Sequence, residues 1–271
     1  MNDIIWYFTG TGNSLAAARR AAAALGGDVE LKPIASAPAG AGEIAASRLG
    51  FVFPVYSFGL PRVVKEFVEN IVSIRADRVF AIATCGSASG GTLAQLRKLL
   101  EAKGAHLDAA EAVVYPGNCI PLHPAPTEEQ CKKMISAGDE AVDRFMADVT
   151  AGRQRPPGFF AGINEVLFRP MYAGFLSSVR RSDRFLKADE TCTRCGVCMK
   201  ICPVGNIATG PDGRPVWGGR CEACYACLNF CPVEAIQYGW LTRGRRRYRH
   251  PDVTPADIAT QSGNKAVTPA E

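Results

Sequence analysis

Histidine is scarce in this sequence, with three residues in 271. His106, His123 and His250 are far apart along the chain, so a histidine-based metal site is not expected. No run of 18 or more uninterrupted apolar residues occurs, which excludes an ordinary membrane-spanning helix. The longest apolar stretch, residues 159–179, is broken by Asn164, Glu165, Arg169 and Pro170. It reads as a docking helix or linker, with membrane-surface contact as the alternative. The N-terminal residues NDIIWYF lack a basic leader, so export is not expected and a cytoplasmic location is. No Ser/His/Asp or paired-carboxylate arrangement stands out, so no catalytic residue is assigned. Whether the chain is an enzyme, as a flavin-dependent oxidoreductase, or an electron carrier is left open. The net charge of +5 is too small to imply nucleic acid.

Cysteine is scarce in most of the chain and concentrated in one part. Only Cys85, Cys119 and Cys131 precede residue 190, and the other eight of the 11 fall between Cys192 and Cys231. A secreted disulfide scaffold would be small and stapled throughout. Eight thiols in one short block of a reducing compartment point instead to metal.

The spacing is Cys192-x2-Cys195-x2-Cys198-x3-Cys202-Pro203, repeated as Cys221-x2-Cys224-x2-Cys227-x3-Cys231-Pro232. This is the bacterial two-cluster ferredoxin spacing, in which the fourth cysteine of each run ligates the other cluster. One [4Fe–4S] cluster would take Cys192, Cys195, Cys198 and Cys231. The other would take Cys221, Cys224, Cys227 and Cys202. Paired structural zinc sites are the competing reading. Zinc favours two C-x2-C pairs or added histidine, and this repeat does not have that form.

The first 150 residues alternate short apolar strands (3–8, 29–34, 49–53, 79–84, 112–115) with helices (13–25, 62–72, 91–103, 127–150). Strands buried on both faces have this continuous apolar character. The Ala/Gly-rich stretch 35–48 reads as loop plus short helix. Five strands alternating with helices predict a doubly wound parallel α/β sheet.

The first strand runs into Thr9-Gly10-Thr11-Gly12-Asn13-Ser14 and a helix. Backbone N–H groups, small hydroxyls and a helix N-terminus together suit a phosphate. The dinucleotide G-x-G-x-x-G spacing and the Lys of a P-loop are both absent, which suits a mononucleotide. The loop resembles the S/T-x-T-G-x-[ST] segment with which flavodoxins cradle the FMN phosphate. Two further loops would complete the site: Pro54-Val55-Tyr56-Ser57-Phe58-Gly59 after the third strand, and Thr84-Cys85-Gly86-Ser87 with Gly90 after the fourth. Tyr56 and Phe58 are candidates to stack on a flavin. The fifth strand ends in YPGNCIP, where Asn118 is the candidate contact. Cys85 and Cys119 could serve a redox role or act as small buried residues. His123 is a remote candidate for proton transfer.

The whole chain resembles the flavodoxin–ferredoxin fusion family, often called EFR-type ferredoxins, through YFTGTGNS, FPVYSFGLP, PGNCIP, the eight cysteines and RRRYRHP. Cys119 departs from the aromatic residue expected there. The resemblance implies a flavodoxin-like FMN domain (residues 1–150), a basic helical linker (151–187), a small α+β 2[4Fe–4S] ferredoxin-like domain (188–240) and a basic tail (241–271). It also implies FMN, two [4Fe–4S] clusters and an electron relay to or from a redox partner such as a ferredoxin, flavodoxin or oxidoreductase. No nucleic acid or membrane span is expected, and a homodimer is possible in principle. A reductase of a quinone or small organic substrate, and an iron–sulfur redox sensor, are the alternatives. The charge is unevenly divided. Residues 1–150 carry 14 basic and 16 acidic side chains, and residues 151–271 carry 17 and 10. The basic excess lies in the linker and in Arg243, Arg245, Arg246, Arg247 and Arg249, which would pack on the ferredoxin half or dock a partner. The last dozen residues are expected to be mobile.

Overall fold

The computed structural model describes residues 2–37 and 42–262. Of the last dozen residues, expected to be mobile, Thr260–Ser262 instead form a 3₁₀ turn with Gln261 buried, and those from 263 onward lie outside the described residues.

A five-stranded parallel sheet forms the first half, in the order β2-β1-β3-β4-β5. Its strands are β1 (Asp3–Tyr7), β2 (Val29–Pro33), β3 (Gly42–Pro54), β4 (Ile71–Cys85) and β5 (Ala109–Val114). This is the doubly wound flavodoxin-like order. The helices α1 (Asn13–Leu25), α2 (Arg62–Asn70), α3 (Thr92–Glu101) and α4 (Glu128–Thr150) connect or cover the strands. The carboxyl ends of β3 and β4 are almost continuously buried, and Phe51, Phe53, Phe80 and Ile82 are wholly enclosed. Helix α4 turns Val142, Phe145, Met146 and Val149 inward at helical spacing. Its start is fixed by a capping box between Thr127 and Gln130.

The structure differs from the sequence-based expectation at residues 35–48. Among the described residues only Ile34–Ser36 form a 3₁₀ turn, the chain is strand from Gly42, and 38–41 lie outside the described residues. β4 likewise begins at Ile71, at the end of the candidate helix 62–72. The two extensions pair with each other, with Ile44 opposite Ile74 and Ala46 opposite Ala76. Ala, Gly and Glu favour strand weakly in isolation, so the cross-strand partner decides the conformation.

Helix α5 (Phe159–Ser178) occupies the basic linker and lies on the first half. Phe168 stacks on Phe58 at 4.2 Å. The Tyr172 hydroxyl donates to the Leu60 carbonyl at 2.8 Å, and its ring covers Gly59.

The cysteine-rich half consists of two small antiparallel pairs. β6 (Leu186–Ala188) pairs with β9 (Ile236–Tyr238), and β7 (Ile207–Thr209) pairs with β8 (Pro215–Trp217). Two one-turn helices, α6 (Val197–Lys200) and α7 (Ala226–Asn229), lie within the cysteine runs and carry Cys198 and Cys227. Leu186, Ile207, Leu228, Ile236 and Tyr248 form a small second core that Ile120 and Ala125 of the first half join. No helix among the described residues is long and apolar enough to cross a membrane.

A candidate cofactor cleft and two cysteine cavities

The carboxyl ends of β1, β3, β4 and β5 open into one cleft, lined by Thr9, Gly10, Thr11, Asn13, Ser14, Pro54, Val55, Tyr56, Thr84, Cys85, Gly86, Pro116, Gly117 and Asn118. It surrounds about 360 Å³ of space. Ligands of open α/β sheets sit at this edge, where the strand order reverses. No charged side chain lines the cleft. An anion there would meet backbone N–H groups and the N-terminus of α1.

The loop is braced by its own polar groups. Thr9 Oγ1 accepts from the Gly12 N–H at 3.1 Å, and Thr11 Oγ1 accepts from Asn118 Nδ2 at 3.0 Å. Both bonds use acceptor capacity and leave each hydroxyl free to donate. Ser14 and Thr84 bond each other at 2.8 Å, and Asn13 Nδ2 donates to the Pro116 carbonyl at 3.0 Å. The Tyr56 hydroxyl is buried without a partner. Burial also pushes its pKa well above the usual phenol value. Burial raises the Cys85 thiol to about 11, so it stays protonated at neutral pH.

Six sequence candidates do not line the cleft. The Phe58 ring is taken by Phe168 and Gly59 is covered by Tyr172, which corrects the reading of Phe58 as a stacking surface. Gly90 faces the Phe58 backbone, and Gly12 faces His250 and Val253. Ser57 and Ser87 are also absent from the lining. His123 is exposed and lies over Gly117, at the rim.

The basic tail proves to be a strap across both halves. Arg245 donates to the Ile120 and Pro121 carbonyls at 2.8 and 3.1 Å, and Arg247 to the Ile236 carbonyl at 3.1 Å. Tyr248 donates from its hydroxyl to Asn13 Oδ1 at 2.6 Å, and the His250 N–H donates to the Thr11 carbonyl at 2.8 Å. Helix α8 (Pro255–Ala259) then carries the chain to Gln261, which is wholly buried. Gln261 accepts from the Thr9 N–H at 3.1 Å and donates to the Thr9 carbonyl at 2.7 Å. Sequence reasoning noted the RRRYRHP segment but not this role, and a lone Gln in a polar tail carries no local signal.

The eight cysteines line two separate cavities. Cys192, Cys195, Cys198 and Cys231 line one, and Cys202, Cys221, Cys224 and Cys227 the other. The fourth cysteine of each run thus stands with the other run's three. No group of three or more His, Cys, Asp or Glu among the described residues converges as a single ion would require. A four-iron cubane needs one thiolate per iron, and so a ring of separated ligands. Burial raises the thiol pKa of Cys198 to about 12 and of Cys221 to about 11. It raises Cys224 and Cys227 well above the ordinary value. Metal must displace those protons on binding. The Asn206 N–H donates to Cys202 Sγ and the Ala223 N–H to Cys221 Sγ, each at 3.3 Å. Such bonds tune a cluster's potential.

The two cavities differ in exposure. Cys195 is exposed, whereas Cys202, Cys224 and Cys227 are buried. The buried cavity abuts the first half: a Cβ at Gly10 would stand 2.6 Å from the Cys224 carbonyl oxygen. Glu222, also buried, pairs with Arg62 and accepts from the Val63 N–H at 3.2 Å, which latches this loop to the start of α2. Burial, opposed by Arg62, pushes the Glu222 carboxyl up to about 7. Tyr225 hydrogen-bonds the Cys119 thiol, and Asn229 Nδ2 reaches the Asn118 carbonyl at 3.3 Å.

Residues 185–232 match the family of 4Fe-4S dicluster domains. No curated protein matches the chain. Among solved structures, a putative flavoprotein from Bacteroides uniformis is 17% identical, covering 54% of this chain and 98% of that one, with a TM-score of 0.37. The two-electron reduced flavodoxin of Megasphaera elsdenii is 20% identical, with coverage of 51% and 98% and a TM-score of 0.32. The Trp repressor binding protein of Bacillus subtilis is 17% identical, with coverage of 54% and 96% and a TM-score of 0.35. The strand order of the first half and the dicluster domain of the second define an iron–sulfur protein of the electron-transfer class. The chain thus joins a flavodoxin-like strand order to a 4Fe-4S dicluster domain.

Proposed function

We propose that the protein relays electrons within one chain between two [4Fe–4S] clusters and FMN, and exchanges them with a redox partner protein. The observation that carries this reading is the seating of the Cys224 loop directly on the Gly10 loop. It puts the buried cysteine cavity beside the cleft. Cys192, Cys195, Cys198 and Cys231 would hold the exposed cluster, and Cys202, Cys221, Cys224 and Cys227 the buried one. The clusters supply single-electron steps, and FMN supplies one- or two-electron steps.

The chain's own residues bind and orient. Thr9 to Ser14 hold the phosphate with N–H groups and hydroxyls, without a lysine or a metal ion. Pro54 to Tyr56, Cys85, Gly86 and Pro116 to Asn118 form the walls. The cavity of Cys192, Cys195, Cys198 and Cys231 is where a partner approaches, because electron transfer needs proximity and Cys195 is exposed there, whereas Cys202, Cys224 and Cys227 are buried. The parts are residues 1–150, 151–187, 188–240 and a tail from 241 that straps the two cofactor regions together. A cytoplasmic setting, where thiols stay reduced, fits this chemistry.

Anaerobic purification followed by metal and flavin analysis tests the reading. The expected result is about eight irons per chain, as two four-iron clusters require, together with one FMN. Reduction by dithionite should bleach the cluster absorption and the flavin. A chain that loads iron but never retains flavin would falsify the relay.

A further inference from the structure

The outward side of helix α5 is apolar from Phe160 to Met171. Phe160, Ile163, Val166, Leu167 and Met171 are exposed by 76, 45, 70, 67 and 46%. Phe160, Ile163, Leu167 and Met171 are spaced three, four and four residues apart and share one face, with Val166 at its edge. Among the exposed residues of this 20-residue helix only Arg169 is charged. Soluble proteins seldom leave such a concentration of large apolar side chains in water unless it binds something.

The charge around the helix indicates what it binds. From 159 to 187 the basic residues Arg169, Arg180, Arg181, Arg184 and Lys187 are all exposed. The two acidic residues are engaged within the protein: Asp183 is buried against Asn206 and Gly219, and Glu165 pairs with Lys98. Arg180 has one partner, Glu66 at 3.6 Å, and both side chains of that pair remain largely solvated. The segment therefore offers water an apolar face and five positive charges with no exposed acidic residue of its own. A second copy of the chain would meet this surface with like charge. Anionic lipid meets it with opposite charge, and its acyl boundary receives the apolar side chains.

We propose that α5 and the basic residues following it dock the protein on the surface of a membrane containing anionic lipid. The helix lies in the interface plane without crossing. Its inner side stays on the protein through Phe168 and Tyr172. The apolar face of α5 lies outside the cleft and the cysteine cavities, while the Arg180 carbonyl accepts from the Cys221 N–H at 3.1 Å beside the buried cavity. Docking would hold the relay in the two-dimensional space of membrane-bound or lipid-soluble partners.

Co-sedimentation of the full chain, purified anaerobically with whatever cofactors it retains, tests this. The probes are vesicles of phosphatidylcholine alone and of equimolar phosphatidylcholine and phosphatidylglycerol. Binding to the mixed vesicles, weakening as salt rises, is expected, with little binding to the neutral ones. Replacing both Arg180 and Arg181 with Ser should weaken binding about thirtyfold, as about 1 kcal/mol per charge implies. Leu167→Asp should weaken it about tenfold or more, since one buried Leu is worth 1.5 kcal/mol or above. Both changes fall at exposed positions, and an unchanged circular dichroism spectrum verifies the fold. Absence of binding to the mixed vesicles at low salt overturns the proposal. So does a dimer in sedimentation velocity that Leu167→Asp dissociates while vesicle binding persists, because the face would then belong to a second copy.

Discussion

Gln261→Met removes the strap's hold on the cleft while keeping side-chain volume. In the native chain the Gln261 amide satisfies both the N–H and the carbonyl of Thr9, a residue 1% exposed. Methionine leaves both groups buried and unpartnered. An unsatisfied buried polar group costs about 1–3 kcal/mol. Two such groups give about 2–6 kcal/mol, and the lower part of that range applies if water follows the tail as it lifts. Even about 2 kcal/mol corresponds to roughly 30-fold easier opening of the loop. Hydrogen-exchange mass spectrometry on a peptide spanning residues 7–14 measures this directly and does not depend on any cofactor. Exchange at Thr9 should accelerate roughly 30-fold or more, and flavin retention should fall with it. Gln261→Glu keeps the acceptor for the Thr9 N–H and loses the donor to the carbonyl, so its effect on exchange should be smaller. Exchange in Gln261→Met equal to that of the parent would refute the bracing role, whatever happens to the flavin.

Three other expectations follow from the interfaces. Arg62→Ala strands the buried Glu222 carboxylate and should cost about 3–5 kcal/mol, seen as a lower melting temperature; Arg62→Met combined with Glu222→Met should recover most of it, and no recovery would count against the ion-pair argument. Gly10→Ala sets a methyl 2.6 Å from the Cys224 carbonyl and should raise exchange in residues 221–227, whereas an unperturbed segment would mean that the two loops do not abut. Asp257 is held down to about 2 by bonds from Thr254 and by Arg19. A depressed carboxylate stabilises the fold above its unfolded value near 3.8 and loses that contribution as pH falls toward 2. Protection of residues 254–262 should therefore fall between about pH 4 and 2 in the parent chain, and Asp257→Asn should show the lower protection already at neutral pH. A pH profile unchanged by the substitution would refute the assignment.

The sheet was legible because its strands are buried on both faces: WYF, FVFP and VFAIATC are apolar throughout, and Gly26-Gly27 and Pro61 punctuate the helices. The extensions of β3 and β4 were not legible, because GEIAAS becomes strand only against IVSIRA. Among the cleft residues, Thr9, Gly10, Thr11, Asn13 and Ser14 were legible as one loop, since it follows its strand immediately. Phe58 could not, because Phe168, some 110 positions later, decides where its ring goes.

The cysteine spacing by itself determined the grouping of thiols, since three ligands on one tight loop leave the fourth to come from the other run. The TGTGNS turn likewise determined where an anion could sit. Only the tertiary structure decided which cysteine cavity is buried, that it lies on the Gly10 loop, and that a tail expected to pack on the ferredoxin half or dock a partner also straps Asn13, Thr11 and Thr9 in place. Those features join residues up to about 250 positions apart, as Thr9 and Gln261 are. Contacts at that separation leave no local periodicity or spacing in a sequence, because they are set by the packing of whole elements.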